Sequence, residues 1–165
     1  MFEPLLVGLP DLSTRGLLAA HCAVLAELRR RGVIRSHNNP TGDYAEWLVS
    51  SKLGLTLADK SVKGYDAIDA KNIRYQIKAR RTTVDNPSTQ LSVIRDLAGN
   101  DFDVLVGVVF DSEWNVVLAA RMTRDAVASI ASFRRHVNGH VMHLRHSVLS
   151  VGGVDDITSA LQNEQ

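Results

Sequence analysis

Apolar and polar positions alternate most clearly between Gly64 and Arg80, in GYDAIDAKNIRYQIKAR. Ile73, Tyr75, Ile77 and Ala79 fall on one side of a two-residue period. Arg74, Gln76, Lys78 and Arg80 fall on the other, as expected of a half-buried strand. Asp69, Lys71 and Asn72 supply turn chemistry ahead of it, so the stretch predicts two short strands in a hairpin. If Ala70 to Asn72 form a three-residue loop, Asp66 on the first strand lies directly across from Gln76. A slip of one residue would send them to opposite faces, so the hairpin's chemistry depends on its register.

Elsewhere the period is helical. Leu17, Leu18, His21, Val24, Leu25 and Leu28 form an apolar stripe on a helix predicted over residues 14–31. Asp11 or Ser13 caps it, Arg29 to Arg31 load its last turn and Gly32 stops it. It is expected to cover the sheet or to pair with a second copy. A second helix, TGDYAEWLVSSKLG, takes Thr41 or Asp43 as cap and Gly54 as stop. It buries Ala45, Leu48, Val49 and Leu53, carries Glu46 at the rim of that stripe, and turns Tyr44 and Trp47 under the N-terminal helix. Phe102 to Phe110, FDVLVGVVF, lacks alternation and predicts a strand buried on both faces. Trp114 to Arg121 returns antiparallel beside it. Thr123 then caps a helix to about Ser132, with Ala126, Val127 and Ile130 inward. Leu55 to Ala58 predicts a short strand, Arg81 to Gln90 a loop, and Leu91 to Leu97 a brief helix. Beyond an Asn138-Gly139 turn, VMHLRH reads as a strand, and a short helix starts at Asp155 or Asp156. Residues 1–10 read as a surface arm or packing strap, and Asn163 to Gln165 as a frayed end.

Composition adds bounds to this α/β pattern. A chain of 165 residues is most simply one domain, residues 1–165. It divides into the helix at 14–31, a core at 41–122 and a helix and strand extension at 123–165. The single cysteine, Cys22, excludes an intramolecular disulfide and fits a cytoplasmic protein. No apolar run has the length of a membrane span, and nothing marks an organic cofactor. The formal net charge of +1 does not announce a nucleic-acid binder. Arg29 to Arg31, the group Lys78, Arg80 and Arg81, and Arg134 with Arg135 are local basic clusters that suit phosphates or helix ends. His136, His140, His143 and His146 invite the thought of zinc. On a strand His143 faces away from His140 and His146, however, and no cysteine lies near, so a basic face toward DNA or a second copy is the better expectation.

Asp66, followed by Gln76-x-Lys78 at the end of a strand, resembles the PD-(D/E)xK nuclease superfamily. The likeness is greater to the Mrr-like branch, in which glutamine replaces the second acid. Glu46 matches the glutamate that many of these nucleases carry on their first core helix, and the resemblance covers roughly residues 41–120. It implies a restriction endonuclease-like mixed β-sheet flanked by helices, here with an extra N-terminal helix. It further implies a metal-dependent DNA endonuclease in which Asp66, Gln76 and Glu46 hold Mg2+ or Mn2+, with the Ile77 carbonyl beside them. Glu46 would act directly or through water, and Lys78 would orient the attacking water and stabilise developing negative charge. Arg80, Arg81 and Arg74 would contact DNA, and a homodimer would suit the cutting of both strands. Gln76 removes one negative charge that relatives often have, which weakens metal binding unless Glu46 compensates. The plainer alternatives stay open: a catalytically inactive nucleic-acid- or protein-binding module on the same fold, or an edge hairpin whose polar residues are its solvated face.

Overall fold

The computed structural model describes residues 8–162. Among them are four α-helices: α1 (Thr14–Arg30), α2 (Thr41–Leu53), α3 (Arg124–Ile130) and α4 (Thr158–Gln162). Six strands form one mixed sheet: β1 (Thr56–Leu57), β2 (Ala67–Ile68), β3 (Arg74–Arg81), β4 (Val104–Phe110), β5 (Val116–Thr123) and β8 (Val154–Asp156), in the order β1-β2-β3-β4-β5-β8. β3 and β4 run parallel, and the other neighbours are antiparallel. β6 (Ser132–Arg134) and β7 (Gly139–Val141) make a separate two-stranded ribbon. No helix among the described residues is long and apolar enough to cross a membrane.

The central strand shows why the sheet takes two layers. Val106, Val108 and Phe110 pack with Ala45, Leu48 and Val49 of α2. Leu105 and Val109 enter the opposite core with Leu91, Phe102, Met122 and Leu144. β4 is thus buried on both faces, as its unbroken apolar run predicts. Each fully buried Leu, Val or Phe contributes ~1.5–3 kcal/mol of transfer free energy, so both layers are held by the same strand. Gly107 leaves room on the second face, where an added Cβ would meet Leu91 Cδ1 at 2.9 Å and Leu144 Cδ2 at 3.2 Å.

The caps predicted for two helices form. Ser13 Oγ accepts from Gly16 N at 3.1 Å, and Thr123 Oγ1 accepts from Ala126 N at 3.3 Å. At α2 the assignment differs. Pro40 occupies the N-cap position, Asn39 Oδ1 accepts from Thr41 N, and Asp43 reaches back to the preceding loop instead.

Several expectations are corrected. α1 does not cover the sheet: Leu25 is its only buried residue, while Leu17, Leu18 and Val24 are exposed. Tyr44 packs against Trp47, Phe110 and Trp114 and lines a cavity with Leu28 of α1, so of the two rings it is Tyr44 that reaches the N-terminal helix. Residues 91–97 form no helix. Leu91 N donates to Met142 O, and Ile94 exchanges backbone bonds with His140, so the segment is pinned to β7 and its vicinity. The strand expected in VMHLRH ends at Val141, and His146 starts a 3-10 turn over His146–Ser150. β8 was not foreseen; it joins the C-terminal part of the chain to the core sheet through β5. The final helix starts at Thr158, whose amide is accepted by Asp156 Oδ1. The expectations for residues 1–7 and 163–165 lie outside the described residues.

Candidate active site

The hairpin holds its predicted register. Ala67 pairs with Tyr75 and Ile68 with Arg74, which sets Asp66 opposite Gln76 one step further on. Turn chemistry fixes this: Asp69 Oδ1 accepts from Lys71 N at 2.8 Å and from Ile73 N at 2.9 Å, and Asn72 takes the left-handed conformation at φ 61°. Asp66 sits just before β2, where the two strands part. Its own amide donates to Tyr75 O, and its Oδ2 accepts from Ile77 N at 2.7 Å. The carboxylate thus replaces the missing neighbour strand at the edge of β3, with Oδ1 left outside that bond.

Gln76 and Lys78 flank Ile77 and share the face opposite α2, since Tyr75 and Ile77 belong to the core beneath that helix. Gln76 is only 9% exposed. Its Nε2 donates to Gly64 O at 3.2 Å, while its Oε1 is buried without a hydrogen-bond partner. A buried amide oxygen left unpaired costs free energy on the order of 1–3 kcal/mol, so it is an acceptor open to a water or a ligand.

Glu46 approaches from α2. Its carboxylate pairs with Arg35, which also donates from Nη1 to Ala58 O at 2.8 Å. Asp43, one turn earlier, accepts from Arg35 N, Ser36 N and Ser36 Oγ, so the loop before α2 is clamped against that helix. Arg35, Asp43, Glu46, Asp59, Lys60 and Asp66 line a cavity of about 220 Å³.

Charge couples these groups at the sheet edge. Burial pushes the Asp66 carboxyl up, against the opposing effect of the Ile77 N–H, Lys78 and Arg35. Burial likewise pushes Glu46 up, with Arg35 opposing and the negative charge of Asp66 adding. Burial lowers Lys78, while Asp66 and Glu46 favour its charged form and Arg95 disfavours it. Two carboxylates and one ammonium are therefore within each other's electrostatic reach, all held against desolvation. Perturbation by burial plus named partners is a pattern common in functional sites.

The consequence for stability has a definite sign. A carboxyl raised on folding binds protons more tightly in the native state, so stability is greatest below the unfolded range near pH ~4 and falls as pH rises through the raised values. A lysine lowered on folding costs stability at neutral pH, and the cost is relieved as pH rises through its folded value. Asp66→Asn keeps an acceptor for Ile77 N–H while removing the charge. It is expected to raise the melting temperature by a few degrees at neutral pH and to flatten the acid limb of the stability profile. A lower melting temperature would contradict the assigned balance.

The remaining predicted residues separate. Arg74 forms a bidentate pair with Asp103, Nη2–Oδ1 2.8 Å and Nε–Oδ2 3.0 Å, and donates to Asn100 O. Arg81 lies on the α2 side, 4.8 Å above the Trp114 ring, and donates to Ser112 O. Arg80 shares the face of Gln76 and Lys78 and donates from Nε to Ser88 O at 3.2 Å. Among the described residues no three His, Cys, Asp or Glu side chains gather as a ligand set, so any cation here rests on two carboxylates and an amide oxygen.

Arg35 had no signal in the sequence, where it precedes a loop of Ser36, His37 and Asn38. Removing it leaves Glu46, 18% exposed at its side chain, without its counter-charge. Arg35→Ala is expected to cost about 2 kcal/mol, below the ~3–5 kcal/mol of a fully buried pair because both partners keep some solvent. Urea denaturation checks this, and a change under ~0.5 kcal/mol would show the pair to be incidental.

No protein-family model matches the chain, and no curated protein matches it significantly.

Proposed function

We propose that the chain is a metal-dependent endonuclease that hydrolyses DNA phosphodiester bonds at the edge of β3. The observation that carries this reading is the orphaned Gln76 Oε1, directly across the hairpin from Asp66. The donor set fits a hard divalent cation: Asp66, Gln76 Oε1 and Glu46 supply oxygens only, and Mg2+ takes one or two carboxylates and fills its other positions with water and phosphate. Such a cation, when bound, neutralises phosphate charge and acidifies water.

The chain's own residues supply the rest. Asp66 accepts from Ile77 N through Oδ2, which leaves Oδ1 as the oxygen offered to a cation. Lys78, on the same face as Gln76, places a fixed ammonium where negative charge grows on the phosphate and keeps the attacking water oriented. A homodimer would let two such sites cut both strands, and the exposed Leu17, Leu18 and Val24 of α1 are the surface offered for it.

The second reading, a binding module on the same scaffold, is favoured by the Arg35–Glu46 pair, which already gives that carboxylate a counter-charge. Conversion of supercoiled plasmid to nicked circles in Mg2+ or Mn2+, abolished by chelation, tests the choice. DNA binding with a steep salt dependence and no cutting would favour the module.

A further inference from the structure

Between Asp125 and Asp155 the chain contains no acidic residue, yet Arg134, Arg135, His136, His140, His143 and Arg145 all lie there. Part of this stretch is the β6–β7 ribbon, at whose middle Phe133 pairs with His140. The two rings meet edge to face, with centroids 5.3 Å apart and planes at 67°. Phe133 is nevertheless 55% exposed, and Arg134 and Arg135 follow it in the chain. The ribbon is held firmly. His140 N donates to Ile94 O at 2.8 Å, Ile94 N to His140 O at 2.9 Å, and Leu144 N to Thr89 O at 3.1 Å. Gly139 lets it sit close, since an added Cβ would lie 3.0 Å from Ile94 O. Phe133 is therefore exposed on β6, whose partner strand β7 is hydrogen-bonded to Ile94 through His140.

Beside the ring opens a cavity of about 400 Å³, which Arg95, Asp96, Phe133, Asn138 and His140 help to line. That size falls within the range of small-ligand sites. Asp96 is the one acid on its lining; Arg95 is also near enough to Lys78 to disfavour the latter's charge, which connects this cavity to the proposed active site. An aromatic face among cations is the arrangement that stacks a base while holding its phosphates. Bases inside a duplex have no free face to offer, whereas unpaired ones do.

We propose that Phe133 is a stacking platform for an unpaired base, with Arg95, Arg134 and Arg135 holding the phosphates of the same DNA strand, so that the chain engages DNA at single-stranded or distorted segments. This rests on the reading that the protein acts on DNA, and it adds the form of DNA selected.

The test is fluorescence anisotropy in EDTA with the full chain and labelled probes: oligothymidylate of about 20 nucleotides, which exceeds a typical site of ~4–16, a blunt duplex of equal length, and oligouridylate. Oligothymidylate is expected to bind at least several-fold more tightly than either alternative. Phe133→Ala should weaken oligothymidylate binding roughly tenfold, within the range seen for one stacked base, and leave duplex binding within about twofold. Phe133→Trp should restore binding, and circular dichroism should show both variants folded. Equal binding of oligothymidylate by wild type and Phe133→Ala overturns the proposal, as does preference for the duplex or for oligouridylate. Because no divalent cation is present, failure of plasmid nicking leaves a Phe133-dependent result intact, and the converse also holds.

Discussion

Asp66→Ala is expected to reduce Mg2+-dependent plasmid nicking by at least about a hundredfold while leaving the far-ultraviolet circular dichroism spectrum unchanged. The size follows from the loss of the principal oxygen donor and of its alignment, since deletion of a single preorganised electrostatic group typically costs ~10²–10³ in rate. The fold should tolerate the change. Asp66 contributes one hydrogen bond to Ile77 N, and burial already disfavours its charge, so its removal relieves desolvation as it breaks that bond. Lys78→Ala should lose activity comparably, and the double variant should be little worse than either alone, because groups acting as one unit are not additive. Unchanged nicking in Asp66→Ala would show that the hairpin's polar residues are only a solvated edge.

Phe110→Ala is expected to lower stability by ~3–5 kcal/mol, the range for a fully buried aromatic whose cavity cannot close. Phe110 is 0% exposed at the end of β4, and its ring centroid lies 5.2 Å from Tyr44 and 5.9 Å from Trp114. Those contacts seat the start of α2, and α2 carries Glu46. At roughly 2–4 °C per kcal/mol for a domain of this size, the melting temperature should fall by about 10 °C or more. Urea unfolding should show a lower midpoint at an unchanged slope. A loss under ~1 kcal/mol would mean that the aromatic cluster repacks around the gap, and that α2 is seated by its aliphatic side alone.

What could be seen in advance was local. β4 was legible because FDVLVGVVF can satisfy burial on both faces only as a central strand. The Asp66–Gln76 juxtaposition was legible because Asp69 and Asn72 carry the turn chemistry that sets register. Ser13 and Thr123 cap as their types predict. What failed was tertiary. Leu91, Ile94 and Leu97 recur every three residues, as on a helix, yet the backbone of Leu91 and Ile94 is claimed by Met142 and His140 across a long sequence gap. The stripe on α1 reads as a core face, but only Leu25 is buried, with Leu28 partly so, while Leu17, Leu18 and Val24 stay exposed. β8 has three residues and ends in two exposed aspartates, Asp155 and Asp156, so no periodicity marks it. Arg35 could not be connected with Glu46 because only the folded loop brings them together. The candidate site was thus legible where two strands share a turn, and hidden where a loop crosses to a helix.

The central claim is that Asp66, Gln76 and Glu46 share a hard cation beside Lys78. Anomalous diffraction from crystals of the protein soaked in Mn2+ tests it most directly. A peak at ligand distance from both Asp66 Oδ1 and Gln76 Oε1 is the predicted result. Manganese bound elsewhere, with Asp66 bare and the Lys78 ammonium turned to the other side of the sheet, would contradict it.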